Sequence, residues 1–276
     1  MNKVFNYHGQ GEATDQTMSA FGRGVSNYFE NKKNGREISD QENEYRLQKG
    51  KLCSAGHIKP WLEAKGEISF YFSRYNEWPI AEREVLEFAD IDNPILDFGA
   101  GTGRHSLFLQ ELGAKQVYAV DGSPEICGIA RQRGVKKVFC ADINWLNNEL
   151  LSSANFKTML IMHNSIGHAK DWQGFNDFLD TAHNISVPEA RMILTVRNPL
   201  HVDSKKIFRE RGTEIVRVKW NGTIGSWFRF LLIPFSMFEK IAFKKGWKVI
   251  FATELDSLMY GVVLEKIAFH NKKIFT

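Results

Sequence analysis

Asp97, Gly99, Gly101 and Gly103 recur at every second position in Ile95-Leu-Asp-Phe-Gly-Ala-Gly-Thr-Gly-Arg-His105. A short apolar strand runs into the glycines, and a helix is predicted from about Arg104. Glycines in a strand-to-helix turn let the backbone approach a bulky ligand, and the first turn of a helix offers unpaired N–H groups. Such a turn is suited to a nucleotide. A dinucleotide pyrophosphate asks for Gly-x-Gly-x-x-Gly, and position 104 is Arg, which disfavours that ligand. Asp121 follows Gly103 by eighteen positions at the end of the alternating segment Gln116-Val-Tyr-Ala-Val120. A carboxylate there is placed to accept hydrogen bonds from two ribose hydroxyls.

These residues need a frame of alternating strands and helices. Ser123-Pro124-Glu125 reads as a helix start, with a serine cap, proline at the first helical position and an acid at the positive end of the dipole; Gly134 closes the helix. A third strand, Lys137–Ala141, leads to Asp142-Ile143. The rhythm continues as helix 144–152, strand Thr158–Met162, helix 171–184 and strand Arg191–Val196, the pattern of a sheet covered on both faces. After Pro199 it breaks. Glu214–Trp220, Asn221-Gly222 and Thr223–Ile233 read as a hairpin, since Asn-Gly suits a tight turn with positive φ. A helix opened by Ser236-x-x-Glu239 and closed at Gly246, then strands Trp247–Thr253 and Leu258–Glu265, complete the chain.

The succession Asp97-x-Gly99-x-Gly101-x-Gly103, Asp121 and Asp142-Ile143 resembles the motifs of class I S-adenosylmethionine-dependent methyltransferases. The resemblance covers residues 68–267, and it is most similar to bacterial small-molecule members. These carry an Arg-His pair after the turn (Arg104-His105), a second motif like Asp121-Gly-Ser-Pro-Glu125 and a hairpin like Gly225-Ser-Trp-Phe228. It implies an α/β fold with a doubly wound seven-stranded sheet, mostly parallel with the last strand antiparallel. It also implies S-adenosyl-L-methionine as cofactor, with S-adenosyl-L-homocysteine as product, held around Asp97, Gly99, Ala100, Gly101, Gly103, Arg104, His105, Asp121, Gly122, Ser123, Ala141, Asp142, Ile143, Met162 and His163. The aromatic segment before the first strand, in related enzymes beside the methionine end of the cofactor, adds Tyr75 and Trp78. Nucleic-acid amino-methyltransferases end their fourth strand in [Asp/Asn]-Pro-Pro-[Tyr/Phe]; Met162-His-Asn-Ser165 stands here, so a nucleic-acid acceptor is not expected.

Methyl transfer asks the protein chiefly to align an acceptor atom and exclude water. A base is needed where the acceptor arrives protonated. The carboxyl ends of the fourth and fifth strands bring forward His163, Asn164, His168 and Arg197. An imidazole, with a usual pKa of about 6.5, accepts a proton near neutrality, so His163 and then His168 are candidate bases; the alternative for His163 is a residue that shapes the strand end. His163, His168 and nearby Asp171 lack the further ligands of a metal site, and none is expected. The hairpin over about 213–233 falls after the fifth strand, where it can wall the acceptor site with Trp220, Trp227, Phe228 and Arg229; the alternative is that its aromatics seal it against the core.

The remaining composition sets bounds. The 276 residues carry a formal net charge of +4, with 14 Lys plus Arg against 7 Asp plus Glu after position 200, a basic third that reads more simply as solvated surface than as a face for an acidic substrate or RNA. Residues 1–67 form a polar arm, read either as loose or as a lid; within it Ser39-x-x-Glu42 predicts a helix through about Lys49. The methyltransferase domain is read as 68–276. Three widely spaced cysteines suggest neither disulfides nor zinc, and neither an apolar membrane run nor a signal segment is visible, so a cytoplasmic protein is expected. The resulting expectation is transfer of a methyl group to an oxygen or nitrogen of a small metabolite or natural-product intermediate. The alternatives are a peptide or protein N-methyltransferase and a non-catalytic cofactor-binding partner protein.

Overall fold

The computed structural model describes residues 19–53, 58–141, 155–201 and 212–267. Asp142 and Ile143, the helix expected over 144–152 and the first part of the arm lie outside them. Seven strands form the central sheet: β3 (Ile95–Phe98), β4 (Val117–Asp121), β5 (Lys137–Cys140), β6 (Phe156–Ile161), β7 (Ser186–Arg197), β11 (Trp247–Ala252) and β12 (Met259–Lys266). Their order is β11-β12-β7-β6-β3-β4-β5. All described neighbours pair in parallel except β12, which is antiparallel to both β7 and β11. Strand order reverses at β3, which lies between β6 and β4, and the cleft beyond the carboxyl ends at such a point is where ligands bind.

Alternation along the strands fills two layers. Met159 and Ile161 of β6 and Met192, Leu194 and Val196 of β7 face the cluster holding Phe175, Phe178, Leu179, Phe238 and Ala242. These come from helices Trp172–Asn184 and Phe235–Lys244. Leu160 and Ile193 face the other way, onto Val85, Leu86 and Leu109 of helices Ile80–Leu86 and Arg104–Glu111. A period of two side chains thus gives both faces an apolar cover. Leu160 is fully buried, and its truncation to Ala is worth about 2–5 kcal/mol.

The described part of the arm is a helix followed by two strands of a sheet. A helix Ser19–Lys33 comes first, and the capping box at Ser39 forms as expected, with Glu42 N–H donating to Ser39 Oγ and Ser39 N–H to Glu42. The helix it opens stops at Asn43 instead of running to Lys49. Strands β1 (Glu44–Leu52) and β2 (Ile58–Glu67) follow and pair with each other. The reason is remote in sequence: β1 also pairs with β8 (Gly212–Trp220) of the expected hairpin, Leu47 opposite Val218 and Lys49 opposite Val216. Short β9 (Thr223–Ile224) and β10 (Phe228–Leu232) complete a second, five-stranded sheet of order β10-β8-β1-β2, with β9 on β8. The hairpin and the arm are therefore one antiparallel unit. The box expected at Ser236-x-x-Glu239 is not used as a cap; that helix starts at Phe235 behind Pro234, with no side-chain cap bond.

Candidate functional site

The four residues of β3 are buried, and the chain leaves the sheet at Gly99. Gly99, Gly101 and Gly103 have φ of 66°, 56° and 81°. A Cβ at Gly99 would overlap Ser165, and one at Gly103 would overlap Val135, so packing demands glycine at both. At Gly101 a Cβ would meet only Tyr71, at 3.7 Å; this residue faces open space. Its N–H donates to Asp121 Oδ2 at 2.9 Å, and Ser123 N–H donates to Oδ1 at 3.0 Å. Burial raises the Asp121 carboxyl, while the bonds from Ser123 and Gly101 pull it down. Each oxygen retains a lone pair for a further donor.

The turn and Asp121 open onto a cavity of about 480 Å³, which also exposes Ala100, Arg104, His105, Gly122, Ser123, Ala141, Met162, His163, Asn164, His168 and Arg197. Its far wall is the second sheet: Tyr45 and Leu47 of β1, Val218 of β8, and Trp227, Phe228 and Arg229 of the hairpin, joined by Phe21, Lys65, Tyr71 and Lys170. The volume falls in the range of about 300–1,000 Å³ usual for small-molecule sites.

Several expected contacts lie elsewhere. Tyr75 stacks on Phe108 with centroids 4.4 Å apart, and Trp78, almost wholly buried, packs edge-on to His105 while its Nε1 donates to Ser73 O. Both belong to the layer beneath the sheet, drawn there by apolar area; Tyr71 is the aromatic of that segment that reaches the cavity. Asp97 is buried behind the turn and accepts from Ser106 Oγ at 2.6 Å. Trp220 also stays off the cavity: its Nε1 donates to Glu42 O at 2.9 Å, and its ring packs with Phe21 and Val25, sealing the hairpin against the arm. Asn164, at φ 62°, lines the cavity but uses its side-chain oxygen to accept from Arg197 N–H at 3.0 Å, tying the ends of β6 and β7 together.

At the strand ends lies a buried acid that the sequence reading did not single out. Glu82, fully buried, accepts from Arg104 Nη2 at 2.7 Å, lies 3.2 Å from His105 Nε2, and faces His163 Nδ1 at 3.5 Å with its other oxygen. Burial would raise its carboxyl, but the contacts of His105 and His163 and the charge of Arg104 outweigh that and hold it well below the usual range. The signal was present: Glu82 shares a helix face with Val85 and Leu86, three and four positions on, an acid on an apolar stripe. Burial lowers the His163 pKa, opposed by Glu82, so the imidazole is neutral at pH 7.

The wall opposite is aromatic and cationic. Phe21 meets Tyr45 and Tyr71 edge-on at 5.2 and 4.7 Å, and the two tyrosine hydroxyls are 3.3 Å apart. Trp227 is held against Gly50, and the Arg217 guanidinium lies 4.3 Å over its ring. His168 stacks on Phe228, and Arg229, more than half exposed, pairs with Asp171 at 3.2 Å. Among the described residues no group of three or more His, Cys, Asp or Glu could hold a metal ion, and no helix is long and apolar enough to cross a membrane.

Residues 95–188 match the family described as a methyltransferase domain. No curated protein matches the chain in sequence. Among solved structures, a SAM-dependent methyltransferase from Bacteroides fragilis in complex with S-adenosyl-L-homocysteine is similar with a TM-score of 0.71 and 22% identity, over 92% of this chain and 96% of its own. The CcbJ methyltransferase from Streptomyces caelestis gives 0.54 and 15%, over 70% and 95% of the two chains. A DhpI–SAH complex gives 0.52 and 17%, over 68% and 83%. These likenesses are of fold.

Proposed function

We propose that this protein, whose residues 95–188 match the methyltransferase-domain family, is a class I methyltransferase that transfers a methyl group from S-adenosyl-L-methionine to an oxygen or nitrogen of a small molecule. The observation that carries the reading is the continuity of one cavity, from the glycine turn and Asp121 to His163 and the second sheet.

The residues fit the cofactor. Asp121 presents a half-buried carboxylate whose bonds all come from backbone N–H groups, matched to a ribose diol. Gly101 and Gly122 leave room beside it, their nearest Cβ neighbours standing 3.7 and 3.9 Å away. Ala141 bounds the adenine end, where Asp142 and Ile143 are the residues expected to follow. When bound, S-adenosylmethionine supplies a methyl group on a sulfonium whose leaving group is a neutral thioether. Phe21, Tyr45 and Tyr71 offer aromatic surfaces that favour a cation and keep water out.

At the other end, the hairpin and β1 close over the cavity and confine the acceptor, which supports a small molecule over a peptide laid in an open groove. Lys170 beside that wall and Arg197 at the end of β7 favour an acceptor bearing an acidic or carbonyl oxygen. His163 is the base of this reading: neutral near pH 7, lining the cavity, and able to take the acceptor's proton. His168, stacked on Phe228, shapes the wall.

Incubating the protein with cofactor bearing a deuterated methyl group and a cell extract tests the reading by where label appears. The expected result is label in the low-mass fraction; label confined to peptide or RNA contradicts it.

A further inference from the structure

His163 is in an unusual backbone state, φ 52°, followed by Asn164 at φ 62°. Non-glycine residues in the left-handed region are uncommon and mark places where the surroundings fix the chain. His163 N–H donates to Thr195 Oγ1 at 2.7 Å and Asn164 N–H to Thr195 O at 2.8 Å, so neighbouring β7 holds the bend. The bend directs the imidazole inward over Glu82.

There the ring has two different edges. Nδ1 is buried and has no hydrogen-bond partner of full geometry; the same is true of Glu82 Oε1. The two atoms face each other at 3.5 Å. The imidazole side chain as a whole is 34% exposed, so its exposure belongs to atoms other than Nδ1, on a residue that lines the cavity. Glu82 is not free to turn, since its other oxygen is held by Arg104 and His105. Phe70, with its centroid 4.5 Å from that of the imidazole, and Tyr71, at 5.9 Å, confine the ring.

We infer that Glu82 is the positioning residue of His163: it fixes the tautomer with the proton on Nδ1 and leaves Nε2 as the acceptor facing the cavity. The inference rests on His163 serving as base of the proposed transferase. An ionised carboxylate can only accept hydrogen bonds, so Nδ1 must be the donor, and in a neutral imidazole Nε2 then carries the lone pair. In the transfer step the acceptor's O–H or N–H bond breaks, its electron pair stays on the acceptor, and the proton bonds to Nε2. The ring becomes a cation, and the adjacent carboxylate stabilises it. Arg104 and Arg197 oppose that charge; Glu82 is the group that offsets them. The contact is long for a hydrogen bond, and contacts of this kind tighten when the site fills.

The test needs no acceptor. Nitrogen-15 NMR of the His163 ring in the full chain, assigned by loss of the signal in His163→Gln, reads which nitrogen bears the proton above the titration midpoint. A protonated Nδ1 and unprotonated Nε2 are expected; a proton on Nε2 overturns the inference, whatever any variant does. Glu82→Gln removes the charge while keeping the shape, and the imidazole midpoint should fall by about one pH unit or more. An unchanged midpoint in a folded Glu82→Gln protein also overturns it. Calorimetry with S-adenosyl-L-homocysteine on the same samples separates the two ideas: absent binding removes the transferase reading, while the tautomer answers for Glu82 alone.

Discussion

Replacing Asp121 by Asn changes one atom and so isolates the role of the carboxylate. Its two oxygens accept from Gly101 N–H at 2.9 Å and Ser123 N–H at 3.0 Å. Asparagine keeps one acceptor and turns the other into an NH₂ group that meets a backbone donor, leaving one N–H without its partner in a half-buried place. That costs about 1–3 kcal/mol of folding stability, read as a lower urea midpoint. Ligand binding suffers separately. A charged acceptor for the ribose hydroxyls is lost, worth about 1.5–3 kcal/mol, which corresponds to a dissociation constant raised about 10- to 150-fold. Titration calorimetry with S-adenosyl-L-homocysteine measures it, with Trp227→Ala, at the opposite end of the cavity, as a control expected to bind within about twofold of the parent. A folded Asp121→Asn protein that binds as tightly as the parent, or a parent that prefers NAD, would refute the assignment of Asp121 to the ribose.

Other outcomes follow from the same geometry. Gly103→Ala should cost roughly 1–3 kcal/mol in urea unfolding, because φ is 81° and the new methyl overlaps Val135; adding Val135→Ala should recover the steric part and not the backbone part. Trp220→Phe removes the bond to Glu42 O and should lower stability by about 1 kcal/mol while sparing homocysteine-product affinity; a loss of that affinity would mean the ring touches the site. Trp227→Ala should impair methylation of the acceptor, once one is known, without loss of fold by circular dichroism. The pH dependence of stability has a definite sign. His163 and His183 both have pKa values lowered by burial, so the unfolded chain takes up their protons first. Their contribution is complete above the unfolded value of about 6.5 and is lost as pH falls through the lower folded values. Thermal midpoints should therefore fall on acidification from neutrality, and His163→Gln should flatten the slope; a midpoint that rises on acidification would contradict the burial of a neutral His163.

The central βαβ run was readable because its signals are local. Gly99 to Gly103, the Ser123-Pro124 cap and Gly134 each act within a few residues, and the structure places the helices Arg104–Glu111 and Pro124–Gln132 after them. Asn221-Gly222 was readable for the same reason, with both residues at positive φ. The arm was not. Glu44–Leu52 is rich in Glu, Gln, Lys and Arg, residues comfortable in a helix, and the capping box at Ser39 points the same way; its partner strand begins at Gly212, far along the sequence. Pairing with β8 buries Lys49 beside Glu214, 2.6 Å apart, and turns Tyr45 and Leu47 onto the cavity. A non-local contact overrode local preference. Glu82 was missed because a charged residue in an amphipathic helix reads as surface, and its partners Arg104, His105 and His163 come together only when the strands align. Tyr75 and Trp78 were drawn under the sheet by apolar burial, while Tyr71 took the cavity.

A crystal structure of the protein with S-adenosyl-L-homocysteine tests the central claim most directly. The account predicts the ribose hydroxyls on Asp121, the adenine beside Ala141, and the sulfur at the His163 end, beneath the sheet formed by β1, β8 and the hairpin. A ligand lying outside this cavity, or bound with its sulfur away from His163, would contradict it.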